Sequence, residues 1–242
     1  GFIGGKLPLQ HGPAEGEAGL KQNLAKLADM RGRVGEDFWL MYDCWMSLDL
    51  NYATRLAHGA HELGLKWIEE CLSPDDYWGY AQLRRNVPPG MLVTTGEHEA
   101  TRWGFRLLLE MGCCDIIQPD ICVVGGLPEM RKIADLAETH FVTIAPHNPM
   151  GPLATAVNVH FSAAQTNFRI LEYRLPHGPG YVFGTGNNET ARAAGPQGAY
   201  YVKDPYLPKD GHLELRPDRP GWGVEMDEKL LGTEEYIHWE RK

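Results

Sequence analysis

The sequence predicts an α/β fold, a parallel (β/α) barrel of about seven strands, on three observations. Short apolar runs recur along the chain, each closing on an acid or a histidine. Amphipathic segments at helical spacing separate them. The closing polar residues stand 23 to 28 residues apart, the length of a strand, a helix and a return loop. Strands apolar on both faces that alternate with helices belong to parallel sheets, and this many units close most readily into a barrel. An open doubly wound sheet is the alternative. It would carry G-x-G-x-x-G after its first strand, and the opening GFIGGK lacks that spacing.

The elements follow in order. GFIGGK reads as a strand, and Leu20–Val34 as a helix with Leu24, Leu27, Ala28 and Met30 at helical spacing. Strand-like runs then recur at Trp39–Asp43, Lys66–Glu70, Leu92–Glu97, Asp115–Asp120, Phe141–His147 and Phe168–Tyr173. Arg102–Met111 and Glu129–Glu138 are helical by the same periodicity. The sum is seven strands with six intervening helices, against eight of each in a standard barrel. The pattern therefore predicts an incomplete barrel whose first strand is missing on the N-terminal side. Residues 1–175 form this barrel. Residues 176–242 are expected to be a loop or insertion, rich in Gly, Pro and Asn over Pro176–Gln197, and a C-terminal segment packing on the same domain. Turn dipeptides such as Asp204-Pro205 and Asp210-Gly211 predict short β-pieces or an irregular cover over Val202–Val224.

Composition narrows the function. With 43% hydrophobic and 10% aromatic residues in 242, the chain is neither collagen-like nor disordered. A net charge of −9 gives no footprint for a phosphate backbone, so nucleic acid is not an expected partner. No apolar stretch approaches the ~20 residues of a membrane span and no signal peptide is visible, so no membrane partner is expected. The five cysteines form no C-x-x-C pair and no zinc spacing. Cys44, Cys71, Cys113 and Cys114 lie in or beside apolar runs, as core residues of a reduced, cytoplasmic protein would.

In a parallel barrel the C-terminal strand ends share one mouth, and here they carry Asp43, Glu69, Glu97, Asp120, His147 and Glu172. One acid at a strand end is more often a helix N-cap than a ligand. Six polar ends in register are not explained that way. Five carboxylates around one cavity cannot all stay ionised without a cation or shared protons, and several carboxylates with waters suit Mg²⁺ better than zinc. Asp120, on the preceding strand, can hold one ring nitrogen of His147 and leave the other as a base.

These residues resemble a family. Asp43-Cys-Trp, Trp67-Ile-Glu69-Glu70, Thr95-Gly96-Glu97-His98, Gln118-Pro-Asp120, Gly125-Gly126 and Pro146-His147 resemble the enolase superfamily, nearest its mandelate-racemase-like acid-sugar dehydratases. GFIGGK, EDFWLMYDCWMSLD, KWIEECLSP and VTTGEHEATR look like L-rhamnonate dehydratase, and PGWGVEMDEKLL is typical of such barrels. The resemblance implies that Asp43, Glu69 and Glu97 ligate Mg²⁺, the first glutamate of the Glu69–Glu70 pair being the ligand. His147, oriented by Asp120, would take the α-proton and then assist loss of the 3-hydroxyl. Glu172 would hydrogen-bond the substrate carboxylate, and His98 and Lys6 would bind substrate. The product would be a 2-keto-3-deoxy acid from an aldonate such as L-rhamnonate, made by a homo-oligomeric enzyme. The chain departs from the wider pattern in three ways. Lys6 alone stands for a Lys-x-Lys pair; Trp45 stands where the galactonate-dehydratase type has a His; nothing corresponds to the family's N-terminal capping domain. The alternatives are a racemase or epimerase of the same superfamily and an inactive truncated barrel serving as a scaffold.

Overall fold

The structure, a computed structural model, describes residues 1–174 and 202–226. The loop expected over Pro176–Gln197 lies outside the described residues. Six parallel strands form one sheet in chain order: β1 (Gly4–Pro8), β2 (Trp39–Asp43), β3 (Leu65–Glu69), β4 (Leu92–Thr95), β5 (Ile116–Ile117) and β6 (Thr143–Ile144). Each is followed by a helix: α1 (Gly16–Val34), α2 (Leu50–His61), α3 (Tyr77–Asn86), α4 (Thr101–Glu110), α5 (Leu127–Thr139) and α6 (Pro152–Ala163). Local chemistry sets the starts of α2 and α3. Asp49 accepts from Tyr52 N at 2.7 Å and Asp76 from Gly79 N at 2.8 Å, each satisfying an orphan N–H of the first turn. The strand-run–helix alternation is the α/β architecture expected.

One element differs from expectation. Phe168–Tyr173 is not a strand but makes a single parallel bridge, Phe168 to Ile144. Ile144 N donates to Asn167 O at 3.0 Å, and Arg169 N to Ile144 O at 2.9 Å. Farther on, Asn148 Nδ2 takes the Glu172 carbonyl at 2.9 Å, so a side chain uses an acceptor that a ladder would need.

The sheet is curled. With strands about 4.8 Å apart, β1 and the Phe168 position would stand roughly 29 Å apart in a flat sheet. Instead Lys6 Nζ on β1 lies 3.0 Å from Glu172 Oε1, and the Arg169 guanidinium sits 5.8 Å from the Trp39 ring of β2. Period-2 alternation therefore divides each strand between two cores. Met41, Trp67, Ile116 and Ala145 face inward. Leu40, Tyr42, Ile68, Val93 and Ile117 face the helices, where Leu27, Leu56, Leu83 and Ile133 are fully buried. Each such buried side chain contributes about 1.5–3 kcal/mol of transfer free energy. Four cysteines are buried and Cys122 is exposed, all five as free thiols.

In the C-terminal segment, β7 (Val202–Lys203) and β8 (Glu225–Met226) pair antiparallel, and Tyr206 packs against Ala156 and Val159 of α6. Among the described residues no helix is long and apolar enough to cross a membrane.

Candidate active site

The inward alternation carries each apolar layer residue to a polar one two positions later: Met41 to Asp43, Trp67 to Glu69, Ala145 to His147 and Ile170 to Glu172. Asp43 and Glu69 are the last residues of β2 and β3 and pair in register. Lys6 on β1, paired with Met41 two positions below Asp43, reaches up between them. Its Nζ lies 2.5 Å from Glu69 Oε1, 3.0 Å from Glu172 Oε1 and 3.5 Å from Asp43 Oδ2. Burial works to lower the Lys6 pKa, but Glu69, Glu172 and Asp43 outweigh it and hold the ammonium well above its ordinary value. The other Glu69 oxygen accepts from the Trp67 indole N–H at 3.0 Å. Burial, and then Glu69, push the Asp43 carboxyl up against the pull of Lys6.

Glu70 turns the other way. With φ of 45° it leaves the strand and buries its carboxylate behind β4, where Thr95 Oγ1 donates at 2.8 Å and Gly96 N at 3.4 Å. Burial pushes its pKa up to about 7 despite these two donors. Glu97 follows Gly96, whose φ of 116° suits glycine, and where a Cβ would meet Phe105 at 2.8 Å. Burial drives the Glu97 carboxyl up to about 8, with His147 opposing.

Asp120 and His147 form an isolated parallel bridge beyond β5 and β6. Asp120 is 1% exposed. Its Oδ1 accepts from Cys122 N at 2.7 Å and its Oδ2 lies 2.8 Å from His147 Nδ1. That contact places the Nδ1 proton toward Asp120 and leaves Nε2 facing the cavity, 3.6 Å from Glu97 Oε2 and 4.0 Å from Glu172 Oε2. Burial works to lower the His147 pKa, but the Asp120 hydrogen bond, Glu172 and Glu97 raise it above its ordinary value. Glu172 accepts from Asn148 N at 2.8 Å. Burial alone would raise its carboxyl, but Lys6, His147 and this N–H hold it below the usual range. His98 Nδ1 stands 3.6 Å from Glu97 Oε1. Burial, then His147, lower its pKa.

These groups border a cavity of about 940 Å³, lined among others by Lys6, Asp43, Glu97, His98, His147 and Glu172. Glu69 and Asp120 stand behind that wall, contacting Lys6 and His147. Among the described residues no three His, Cys, Asp or Glu side chains converge closely enough to hold a metal ion as they stand. Their chemistry nevertheless fits a hard cation. Asp43 Oδ1 and Glu97 Oε2 are buried acceptors with no hydrogen-bond donor, a costly state that a divalent ion relieves. Sequence reasoning missed three groups. Asn148 fixes Glu172, the Trp67 indole fixes Glu69, and Glu70 braces the β4 turn. Only the twin Glu69–Glu70 signalled any of them.

Comparison with known proteins places the fold in a family. Residues 3–230 match the family described as enolase C-terminal domain-like. A structure of an enolase from Agrobacterium radiobacter, provisionally named a galactarate dehydratase and bound to Na and L-malate, is 46% identical. It superposes with a TM-score of 0.83 over 100% of this chain and 61% of its own. L-rhamnonate dehydratase from Gibberella zeae is 38% identical at a TM-score of 0.77, covering 94% of this chain and 54% of that one. A rhamnonate dehydratase structure from the same organism, complexed with Mg, is 37% identical at a TM-score of 0.76, covering 94% and 52%. The chain thus spans between about half and six-tenths of these proteins. By the match over nearly its whole length, the chain belongs to the enolase C-terminal domain-like family.

Proposed function

We propose that this barrel serves a Mg²⁺-dependent acid-sugar dehydratase, which removes water from an aldonate such as L-rhamnonate to give a 2-keto-3-deoxy acid. The observation that carries the reading is the His147–Asp120 pair: Nδ1 is committed to a buried carboxylate 2.8 Å away, and Nε2 faces the cavity. Asp43, Glu69 and Glu97 would hold the ion, which supplies positive charge against the substrate carboxylate when bound. Two of the three carry the unpartnered buried oxygens.

His147 Nε2 takes the proton from C2, and the C–H electron pair passes into the C1–C2 bond as an enediolate. The imidazolium then returns a proton to the 3-hydroxyl as the C3–O bond breaks. Water leaves, and the remaining enol tautomerises to the 2-keto-3-deoxy acid. Lys6 donates to the substrate carboxylate on the side opposite His147. Glu172, held ionised, is an acceptor; it orients Lys6 at 3.0 Å and raises the basicity of His147. His98 binds substrate hydroxyls.

A racemase needs a second base opposite His147. Lys6 stands on that side, engaged by the carboxylates of Glu69, Glu172 and Asp43. The dehydratase reading is tested by incubating the chain with Mg²⁺ and five- and six-carbon aldonates, assaying 2-keto-3-deoxy product and C2 proton exchange in D₂O. Product and exchange are expected, with both lost in His147→Asn. Absence of product and exchange in the unmodified chain would sink the reading; turnover retained in His147→Asn would refute the base.

A further inference from the structure

The turn that follows β2 has no part in the proton chemistry, yet two successive residues of it are strained. Trp45 and Met46 both adopt left-handed backbone, with φ of 42° and 61°. Two successive residues of this kind cost roughly 1 kcal/mol or more each. The turn is pinned at the three residues after Trp45. Met46 N donates to Glu70 O at 2.5 Å, Ser47 N and Oγ to Cys44 O at 3.1 and 2.5 Å, and Leu48 N to Cys71 O at 2.9 Å.

What this strain secures is the placement of one side chain. The Trp45 indole lines the cavity while remaining 65% exposed, with its ring centroid 6.4 Å from that of His98 and the planes at 59°. A lone exposed apolar residue needs no explanation. A large rigid ring held over a cavity by a pinned, strained backbone does, because strain of this kind collects at ligand clamps. Trp offers broad amphipathic contact at little entropic cost.

We propose that Trp45 and His98 form the subsite for the end of the substrate remote from its reacting carboxylate. The indole face takes the C–H-bearing side of the distal carbons, and the His98 ring takes a hydroxyl. The proposal rests on the acid-sugar reading and adds which end is recognised and by what.

The test compares a long and a short acid sharing the same head. Calorimetric titrations of L-rhamnonate and L-lactate into the Mg²⁺-loaded chain are repeated with Trp45→Ala, Trp45→Phe and His98→Ala. Trp45→Ala is expected to weaken L-rhamnonate binding about ten-fold while leaving L-lactate within about two-fold, since lactate lacks the distal carbons. Trp45→Phe, which keeps an aromatic face, should stay within about three-fold for both acids. Trp45→Ala weakening both acids alike, or neither, overturns the subsite. If the unmodified chain binds neither L-rhamnonate nor L-lactate, the acid-sugar reading fails first and the subsite with it.

Discussion

On the β1–β3 side of the mouth a single ammonium, Lys6, serves Asp43, Glu69 and Glu172. On the β5–β6 side a single imidazole, His147, hydrogen-bonds one buried carboxylate, Asp120, whose second oxygen is already met by a backbone N–H. The first arrangement is short of positive charge and leaves Asp43 Oδ1 and, nearby, Glu97 Oε2 unpartnered. The second is complete without any added ion. On the proposed reading, one side accepts a cation and the other holds a proton acceptor in one orientation. Removing a partner should act on binding and stability in the first case and on rate in the second.

The largest effect is expected on the complete side. In Asp120→Asn the amide NH₂ can face His147 Nδ1, which moves the ring proton to Nε2 and removes the base. C2 proton exchange in D₂O should fall roughly 10³-fold, with little change in melting temperature. Exchange within ten-fold of the unmodified chain would break the contrast, because Asp120 would then be ordinary packing.

Lys6→Met probes the deficient side. With EDTA present, three carboxylates lose their counter-ion, and stability should drop by about 3 kcal/mol. Saturating Mg²⁺ should recover most of that loss, and a calorimetric titration should show tighter Mg²⁺ binding than in the unmodified chain. Equal destabilisation with and without Mg²⁺ would mean that Lys6 and the ion do not share these ligands.

A smaller effect separates the sides by pH in metal-free protein. Burial raises the carboxyls of Glu97 to about 8 and Glu70 to about 7, above the ~4.3 of an unfolded glutamate. Between pH 4.5 and 8 the native state thus keeps protons that the unfolded chain has released, and stability falls as pH rises. His147, raised above its ordinary value, contributes stability below its unfolded pKa and loses it as pH rises through the folded one, in the same direction. Melting temperature in EDTA should be higher at pH 6 than at pH 8. Mg²⁺, which needs ionised carboxylates, should recover most of the difference at pH 8. A flat or rising profile in EDTA would contradict the unpaired state of the acidic side.

The strand-end set was legible because period-2 alternation and the 23- to 28-residue repeat both operate along the chain, where sequence is written. Trp39–Asp43 coincides with β2, and Leu65–Glu69 lies one residue from the expected run. Contacts across the curled sheet were not legible in the same way. Lys6 was expected to bind substrate, but its position among three carboxylates depends on segments 37, 63 and 166 residues away. The Phe168–Tyr173 run was apolar enough for a strand, yet Asn148 takes the Glu172 carbonyl from it, a competition that no local pattern encodes. The left-handed backbone at Trp45 and Met46 is likewise imposed by hydrogen bonds to the β3 strand end rather than by their own preferences.

Glu70 is where sequence and structure part most finely, because two adjacent glutamates are chemically identical until the backbone turns. Glu69 continues the strand into the mouth, whereas the positive φ at Glu70 sends its carboxylate behind β4 to brace Thr95 and Gly96, just before Glu97. Glu70→Gln keeps an acceptor for both donors and removes the ionisable group. In metal-free protein it should leave stability at pH 6 nearly unchanged and raise it at pH 8 by roughly 1 kcal/mol, since the new amide N–H offsets part of the gain. The slope of melting temperature against pH should flatten accordingly. A loss of stability at both pH values would show instead that the charge on Glu70 holds the turn. The acidic side would then include the brace beneath Glu97 as well as the carboxylates that face the cavity.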